Sequence, residues 1–196
     1  VTVAEALNHP RWKMGPKVTI DSATMMNKGL EILEARWLFD VPVDRIAVLV
    51  HPESIVHSLV EFTDGAQIAQ LGVPDMRLPI QYAMTWPERV GNPTLPRLNL
   101  AQTGTLHFSE PDPTRFPCLR LVREASAAGG VATAVMNAAN ESAVAAFLSS
   151  RLSLPGIWQT VEAVLDECPT VSGTPTLETI LEADKWARRR AEELVK

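Results

Sequence analysis

Six prolines lie between residues 87 and 117, and this stretch sets the strongest limit on how the chain can fold. Proline fixes φ and lacks a backbone N–H donor, so it interrupts helices and central strands. Little periodicity surrounds these prolines, apart from a short run over residues 104–108. The sequence therefore predicts an ordered linker over 87–116 that separates two domains, 1–86 and 117–196. The prolines are Pro87, Pro93, Pro96, Pro111, Pro113 and Pro117.

Ahead of the linker, the first strong pattern is a strand followed by a long helix. Residues 17–20 predict a short strand, and Asp21 or Ser22 is the expected N-cap of a helix that ends near Phe39. Apolar residues recur at helical spacing along it and form its predicted buried stripe. These residues are Met26, Leu30, Leu33 and Trp37.

The next patterns predict a small sheet. Residues 45–50 (RIAVLV) are almost continuously apolar, which is typical of a buried strand. Residues 54–62 and 67–71 flank Thr63-Asp64-Gly65, and an Asp-Gly pair between two strand-like runs favours a hairpin. We expect a mostly antiparallel sheet with helices on one face.

After the linker the chain turns helical. Helices are expected from Pro117 to Gly129, from Ala132 to Ser149, from Gly156 to Glu167 and from Leu177 to Val195. Their short connections predict a four-helix bundle. The whole chain is therefore expected to have an α+β fold.

Composition excludes several classes of function. The chain has 196 residues, of which 46% are hydrophobic and 21% charged, with a net charge of −5, so a sizeable core is expected and a nucleic-acid partner is not. Apolar runs fall short of the roughly 20 residues needed to span a membrane. Cys118 and Cys168 are isolated, which suits reduced thiols in a cytoplasmic protein.

The segment DSATMMNKGLE, residues 21–31, is the strongest candidate for a site. Asn27 and Glu31 are four residues apart and Lys28 is three before Glu31, so their side chains can converge. An amide, a cation and a carboxylate suit phosphate and a hard cation, and Ser22 adds a hydroxyl. From spacing alone, however, an ordinary Lys28–Glu31 surface pair is slightly favoured.

Other polar features favour structural roles. His51 and His57 flank a strand-like segment, and satisfied structural histidines are the default for both. The run Arg188–Arg190 is followed by two glutamates, which favours a solvated helix face over a nucleic-acid contact. The sequence contains no P-loop, no GxSxG elbow and no GxGxxG fingerprint.

Four motifs together resemble the 1-deoxy-D-xylulose 5-phosphate reductoisomerase family, which serves isoprenoid biosynthesis. The motifs occur in order along the whole chain and are long and ungapped, so the resemblance is specific. They are HPRWKMG at 9–15, DSATMMNKGLEILEARWLF at 21–39, LVHPESIVHSLVEFTDGAQIAQLGVPDMRLPI at 49–80 and NAANESAVAAFL at 137–148.

The resemblance implies a role for each matching residue. Ser22, Asn27 and Lys28 match ligands of the substrate's phosphate end, and Glu31 matches a ligand of Mg²⁺ or Mn²⁺ that also touches the substrate. His9 matches a substrate contact at the edge of a flap, residues 9–15. The remaining matches are Trp12 and Met14 as apolar flap cover, Gly15 as a backbone contact to NADPH, Pro74 and Met76 as pocket lining, and His57 without an assigned step.

The implied reaction converts 1-deoxy-D-xylulose 5-phosphate into 2-C-methyl-D-erythritol 4-phosphate. A metal-assisted rearrangement, by retro-aldol and aldol steps, precedes hydride transfer from NADPH. The family also forms homodimers, partly through the sheet that corresponds to residues 45–71.

The chain departs from the family pattern in its length. Family members carry about 200 further residues upstream, with the NADPH domain, two acidic metal ligands and another phosphate-binding serine. The chain starts at Val1 without an initiator methionine, as a fragment or a processed chain does. We expect it to be inactive alone. A non-catalytic dimerisation module and a standalone phosphosugar isomerase remain as alternatives.

Overall fold

The structure is a computed structural model that describes residues 1–8, 14–171 and 173–196. Its fold is α+β, as predicted, with a two-stranded antiparallel sheet and a helical bundle. The described residues form two compact units, one of residues 1–48 with 112–196 and one of residues 49–111. These units differ from the predicted boundaries near 86 and 116, and the assignment of a catalytic part, a linker and a helical domain remains a prediction.

Three helices open the first unit, and the second of them corrects the sequence analysis. The predicted strand over 17–20 is helical, and the predicted caps Asp21 and Ser22 lie inside the same helix. Gly15 is its N-cap, and proline follows in the first turn, where its missing N–H costs nothing. The helices are α1 (Val3–Leu7), α2 (Pro16–Thr24) and α3 (Met26–Phe39).

Tertiary packing explains why α2 is a helix despite its β-branched residues. The Thr19 hydroxyl donates to the Gly15 carbonyl, 3.0 Å away, which satisfies it within the helix. Ile20 is fully buried among apolar side chains of the bundle. Burial of this kind outweighs the modest local preference for a strand.

The stripe predicted along α3 is partly correct. Met26 is fully buried, and Leu30 and Leu33 pack against the core of the first unit. Trp37, the fourth predicted member, is instead 76% exposed. Its two successors, Leu38 and Phe39, are equally exposed at the end of the helix.

The predicted strand over 45–50 is wrong for most of its length. A short 3-10 turn occupies Val43–Arg45. Within the described chain, only Val50 of this run joins a ladder, through an isolated antiparallel bridge to Ser109 with N···O distances of 2.8 and 3.0 Å. A continuous apolar run predicts a strand only where neighbouring strands cover it, and Leu49 is largely exposed here.

The predicted hairpin is confirmed in the second unit. Strands β1 (Val56–Glu61) and β2 (Gln67–Leu71) pair antiparallel, and Gly65 adopts a φ of +84° in the turn. Two helices follow that the sequence analysis did not predict, α4 (Arg77–Thr85) and α5 (Leu100–Thr103). Throughout residues 49–111, only Gly72 is buried.

The predicted four-helix bundle is confirmed at nearly the predicted bounds. Helix α7 lies at its centre, and its apolar face is buried by the three other helices. Gly129 ends the first of the four with a φ of +67°, a conformation that glycine adopts without strain. The helices are α6 (Cys118–Ala128), α7 (Ala132–Leu148), α8 (Leu154–Asp166) and α9 (Leu177–Leu194). Among the described helices, none has the length and apolar character needed to cross a membrane.

Helix α3 approaches α6 closely at Gly29. A β-carbon at this position would lie 2.5 Å from Val122 Cγ2 and 3.3 Å from Val122 Cβ. Contacts of that length do not occur in real structures, so any larger residue would push the two helices apart. Since Gly29 lies between Lys28 and Glu31, this contact also fixes the position of the candidate site.

Replacing Gly29→Ala tests this contact. Overpacking is expected to lower the free energy of unfolding by about 1–2 kcal/mol, even though alanine favours a helix more than glycine does. Gly91→Ala is a matched control, because no described residue other than its chain neighbours has an atom within 4 Å of a β-carbon added there. Urea unfolding followed by circular dichroism measures both variants. A Gly29→Ala protein as stable as the control would contradict the proposed close packing.

Candidate functional site

The candidate site lies at a sharp break between α2 and α3. Met25 has a left-handed conformation with a φ of 59°, and it ends one helix and begins the next. The Thr24 hydroxyl accepts a hydrogen bond from the Met26 N–H at 3.3 Å and lies 3.2 Å from carbonyl oxygens of the preceding turn. The break places Ser22 in the last turn of α2 and Asn27 in the first turn of α3.

Asn27, Lys28 and Glu31 meet as their spacing predicts. The Asn27 amide donates to Glu31 Oε1 at 3.1 Å, and Lys28 Nζ lies 2.6 Å from Glu31 Oε2. The Lys28 and Glu31 side chains are 45% and 44% exposed, so solvent and ligands can reach them. The structure thus shows the convergence, while the roles of these residues as ligands remain a prediction.

The same geometry offers an anion site, although not at the predicted cap. Because α3 begins at Met26, its first turn contains Asn27 and Lys28 rather than Asp21 and Ser22. Backbone N–H groups in a first helical turn lack intrahelical acceptors and carry the positive end of the helix dipole. The Lys28 ammonium adds a full positive charge there. This end of α3 can therefore bind a phosphate group.

The metal chemistry of the site depends on Glu31. Its carboxylate oxygens suit a hard cation such as Mg²⁺, which prefers six oxygen ligands in octahedral geometry. Among the residues that the structure describes, no group of three His, Cys, Asp or Glu side chains could hold a metal ion. Glu31 therefore fits the role of one ligand, and both its oxygens already accept hydrogen bonds from Asn27 and Lys28.

The predicted flap is only partly described. His9 and Trp12 lie outside the described residues. Met14 is half-buried, and Gly15 is exposed as the N-cap of α2. Apart from its chain neighbours, none of the described residues has an atom within 4 Å of a β-carbon added at Gly15.

Pro74 and Met76, the predicted pocket lining, belong to the second compact unit. Pro74 is half-buried and Met76 is 58% exposed directly before α4. Between them, Asp75 accepts hydrogen bonds from the Arg77 side chain and backbone N–H, which lower the pKa of this carboxyl to about 2. The loop is thus held by an internal ion pair.

His57 lies at an irregularity of the hairpin. Between Val56 and Ser58 the register shifts by one residue, so His57 is the extra residue of a bulge. Its Nδ1 is 3.1 Å from Gln70 Oε1 and its Nε2 is 3.0 Å from the Ser54 carbonyl oxygen. Both ring nitrogens therefore have structural partners within the second unit.

Sequence reasoning missed a cluster around Glu53. This carboxylate lies 2.6 Å from His107 Nδ1 and 3.0 Å from His51 Nδ1, and the hydrogen bonds from His107 lower its pKa to about 2. The Phe108 ring stacks on the His51 ring, with 4.5 Å between the ring centroids. Because 54 residues separate Glu53 from His107, no local pattern could have indicated this contact.

A second missed group is buried in the first unit. The Asp21 carboxylate accepts a hydrogen bond from Asn140 Nδ2 at 3.0 Å and pairs with Lys17 Nζ at 2.5 Å. Nearby, burial raises the pKa of the Cys118 thiol to about 12, so this cysteine stays protonated. Cys118 and Cys168 are both free, as predicted.

Two family models match the chain. Residues 71–190 match a model described as DXP reductoisomerase C-terminal domain, and residues 1–39 match one described as 1-deoxy-D-xylulose 5-phosphate reductoisomerase C-terminal domain. Together they include the candidate site and all but the last four residues of the bundle.

Individual proteins of the same name are similar over all or nearly all of the chain. A 1-deoxy-D-xylulose 5-phosphate reductoisomerase from Chlorobium phaeobacteroides is 54% identical over 195 residues, which cover 100% of this chain and 50% of that protein. One from Moorella thermoacetica is 57% identical over 191 residues, which cover 97% of this chain and 49% of that protein. The chain thus spans about half the length of the relatives it matches.

A solved structure has the same fold as this chain. A crystal structure of DOX-P reductoisomerase in complex with NADPH, fosmidomycin and magnesium superimposes with a TM-score of 0.93 at 45% identity, covering 100% of this chain and 50% of that one. Sequence and structure agree, and the chain belongs to the 1-deoxy-D-xylulose 5-phosphate reductoisomerase family, whose C-terminal domain it matches.

Proposed function

We propose that the chain is the C-terminal part of a reductoisomerase that converts 1-deoxy-D-xylulose 5-phosphate into 2-C-methyl-D-erythritol 4-phosphate with NADPH. The observation that carries this proposal is the group formed by Asn27, Lys28 and Glu31 at the start of α3. It combines a phosphate-binding helix end with an oxygen ligand for a divalent cation. The named ligands of the similar crystal structure, NADPH, fosmidomycin and magnesium, agree with those two functions.

In this proposal Ser22, Asn27 and Lys28 bind the phosphate end of the substrate. That end does not react, so its binding energy serves to hold the reacting carbons in position. Glu31 supplies one oxygen ligand to Mg²⁺ or Mn²⁺ and contacts substrate oxygens. When bound, the divalent ion polarises the oxygens of the hydroxyketone.

The remaining predicted residues are proposed to have the roles that the resemblance implies. Trp12 and Met14 would cover the substrate and exclude water, and His9 would contact it. Gly15 would approach NADPH with its backbone, and among the described residues only its chain neighbours lie close to it. Pro74 and Met76 would line the pocket near the substrate and the nicotinamide.

The chain by itself is proposed to be inactive. Mg²⁺ requires about six oxygen ligands, whereas Glu31 is the one acidic ligand that the resemblance finds in this chain. The rest of the ligands and the NADPH domain would come from the N-terminal part of the enzyme. Two free cysteines are compatible with a reducing compartment, and we place this isoprenoid-pathway step in the cytoplasm.

Restoring the missing half tests the proposed function. The N-terminal part of the Chlorobium phaeobacteroides relative, fused ahead of this chain, is expected to give turnover of 1-deoxy-D-xylulose 5-phosphate. The 196-residue chain alone is expected to give none. NADPH absorbance with Mg²⁺ present measures both proteins. Turnover by the chain alone would refute the proposed need for a second half, and a folded but inactive fusion would refute the proposed function.

Glu31→Gln in the fusion tests the metal ligand. Loss of the carboxylate is expected to lower kcat/KM by about 100-fold or more, with partial recovery at high Mg²⁺ concentration. Glu34→Gln is the matched control, because it removes the same charge from an exposed position on the same helix. The kcat/KM of the control should stay within about twofold of the parent value, since an exposed charge contributes little to the free energy of the protein. Equal losses in both variants would rule out a specific role for Glu31.

A second candidate function, assembly without catalysis, is favoured by the exposed hairpin. Val60 and Ile68 are directly opposed across β1 and β2, and they are 57% and 63% exposed. Opposed residues lie on one face of a hairpin, so their side chains form a shared apolar surface. We propose that the sheet around 45–71 pairs with a second copy of the chain to form a homodimer. A dimer that binds neither fosmidomycin nor Mg²⁺ after fusion would favour the assembly function.

Val60→Lys tests the homodimer. Sedimentation equilibrium of the parent chain is expected to give about twice its mass of 21.5 kDa, and the variant is expected to be monomeric. Gln67→Lys, on the opposite face of the hairpin, adds the same charge and should remain dimeric. A parent chain that is monomeric at micromolar concentration, or a dimeric Val60→Lys variant, would contradict this interface.

A further inference from the structure

The Asp21 carboxylate is buried where water cannot stabilise its charge. Its residue is 2% exposed, although it lies on a helix that is partly open to solvent. Two contacts compensate for the burial: Lys17 Nζ at 2.5 Å from Oδ2, and Asn140 Nδ2 at 3.0 Å from Oδ1. Lys17 belongs to the same helix, one turn earlier. Asn140 belongs to α7, so it is the contact that joins Asp21 to the bundle.

Asn140 is an unexpected residue for the centre of an apolar helix. It is fully buried, and its Oδ1 has no hydrogen-bond partner among the described residues. A buried amide oxygen without a partner destabilises the fold, and an apolar residue of similar size would avoid that cost. The hydrogen bond to Asp21 is the polar contact that the structure gives the Asn140 side chain. Its location thus favours a role in holding Asp21.

Through Asp21, Asn140 contacts the last turns of α2, which lead into the candidate site. Asp21 directly precedes Ser22, and the chain reaches the left-handed Met25 within one further turn. Two other contacts attach the same region to α6: Thr24 lies beside the Cys118 thiol, and Gly29 packs against Val122. Ile20 also packs on α7 through apolar contacts, and among these attachments the hydrogen bond of Asn140 is the polar one made by the residue directly before Ser22.

We infer that Asn140 is a positioning residue that acts through Asp21 to set the location of Ser22 relative to the first turn of α3. The inference rests on the proposed function only for the identity of the ligand, the phosphate end of the sugar. Among the described residues, the groups facing Asp21 are Lys17 from α2 and the Cys118 thiol from α6, which stays neutral up to high pH. Within this part of the chain, a carboxylate in place of the amide would therefore face Asp21 without a second counter-charge.

Two variants separate positioning from stability. Asn140→Ala removes the donor at every pH. Asn140→Asp retains a donor only while one of the two facing carboxyls is protonated, because two carboxylates at that distance repel. Val164→Ala is the control, since it removes buried volume from α8, which packs mainly on α7, α9 and α6. Val164 also belongs to a different apolar cluster from Ile20 of α2.

The first measurement needs no ligand and uses the 196-residue chain. In ¹H–¹⁵N spectra, Asn140→Ala is expected to shift the backbone amides of Ser22, Met25 and Asn27, while Val164→Ala leaves them in place. In Asn140→Asp, the Ser22 amide is expected to move from a parent-like position at low pH to a displaced one at high pH. Shifts confined to α7 and Asp21, or equal shifts in the control, would overturn the inference.

The second measurement uses the fusion with the N-terminal part of the Chlorobium phaeobacteroides relative. Asn140→Ala is expected to raise KM for 1-deoxy-D-xylulose 5-phosphate about tenfold and to leave KM for NADPH unchanged. In Asn140→Asp, KM for 1-deoxy-D-xylulose 5-phosphate is expected to rise with pH. In Asn140→Ala, this KM is expected to vary with pH as it does in the parent fusion. An unchanged KM in both variants of an active fusion would overturn the inference. An inactive parent fusion would refute the proposed function, and the spectra would still decide whether Asn140 positions Ser22.

Discussion

The close contact between α3 and α6 at Gly29 is the constraint on which the candidate site depends. Lys28 and Glu31 have long side chains that could adopt many arrangements on a free helix. The absence of a β-carbon at Gly29 lets α3 lie directly on Val122, which fixes one face of the helix and directs the opposite face to solvent. Asn27, Lys28 and Glu31 then converge on that solvent face because of their spacing along the helix.

The two compact units differ in how they are stabilised. The unit of residues 1–48 and 112–196 contains nearly all buried apolar side chains and has the bundle as its core. Residues 49–111 are stabilised by a hairpin, the Val50–Ser109 bridge and polar clusters such as Glu53 with His107. Contacts of this exposed kind contribute little free energy each. An unburied hairpin with apolar residues on one face is therefore suited to a partner surface.

The sequence predicts the parts of the fold that depend on local patterns. The bundle follows from helical periodicity, and the hairpin follows from Asp64-Gly65, since Gly65 requires a positive φ. Residues 17–20 are predicted as a strand because Val18, Thr19 and Ile20 favour one locally, whereas burial of Ile20 in the bundle decides for a helix. The strand predicted over 45–50 does not form for the opposite reason. It would need neighbouring strands to cover it, and the described residues contain none beside it.

In the candidate site, too, contacts within one helix can be predicted from the sequence, whereas contacts between distant segments cannot. The convergence of Asn27, Lys28 and Glu31 is predictable because all three share one helix. The contact between Asp21 and Asn140 is not, since the two residues are 119 positions apart in the sequence. An asparagine in NAANE, within an apolar helix, is the one sequence signal that could have drawn attention to it.

The ion pair in the site explains how its two proposed ligands can depend on each other. Lys28 Nζ lies 2.6 Å from Glu31 Oε2, so the ammonium group and a divalent cation would compete for the same oxygen. An exposed pair of this type contributes only a few tenths of a kcal/mol, so a stronger partner displaces it readily. In the proposed function, a phosphate group at the start of α3 would attract the ammonium and thereby free the carboxylate. Binding of the anion and of the cation would then be mutually favourable, because each ligand would take one member of a pair that neutralises itself in the free protein.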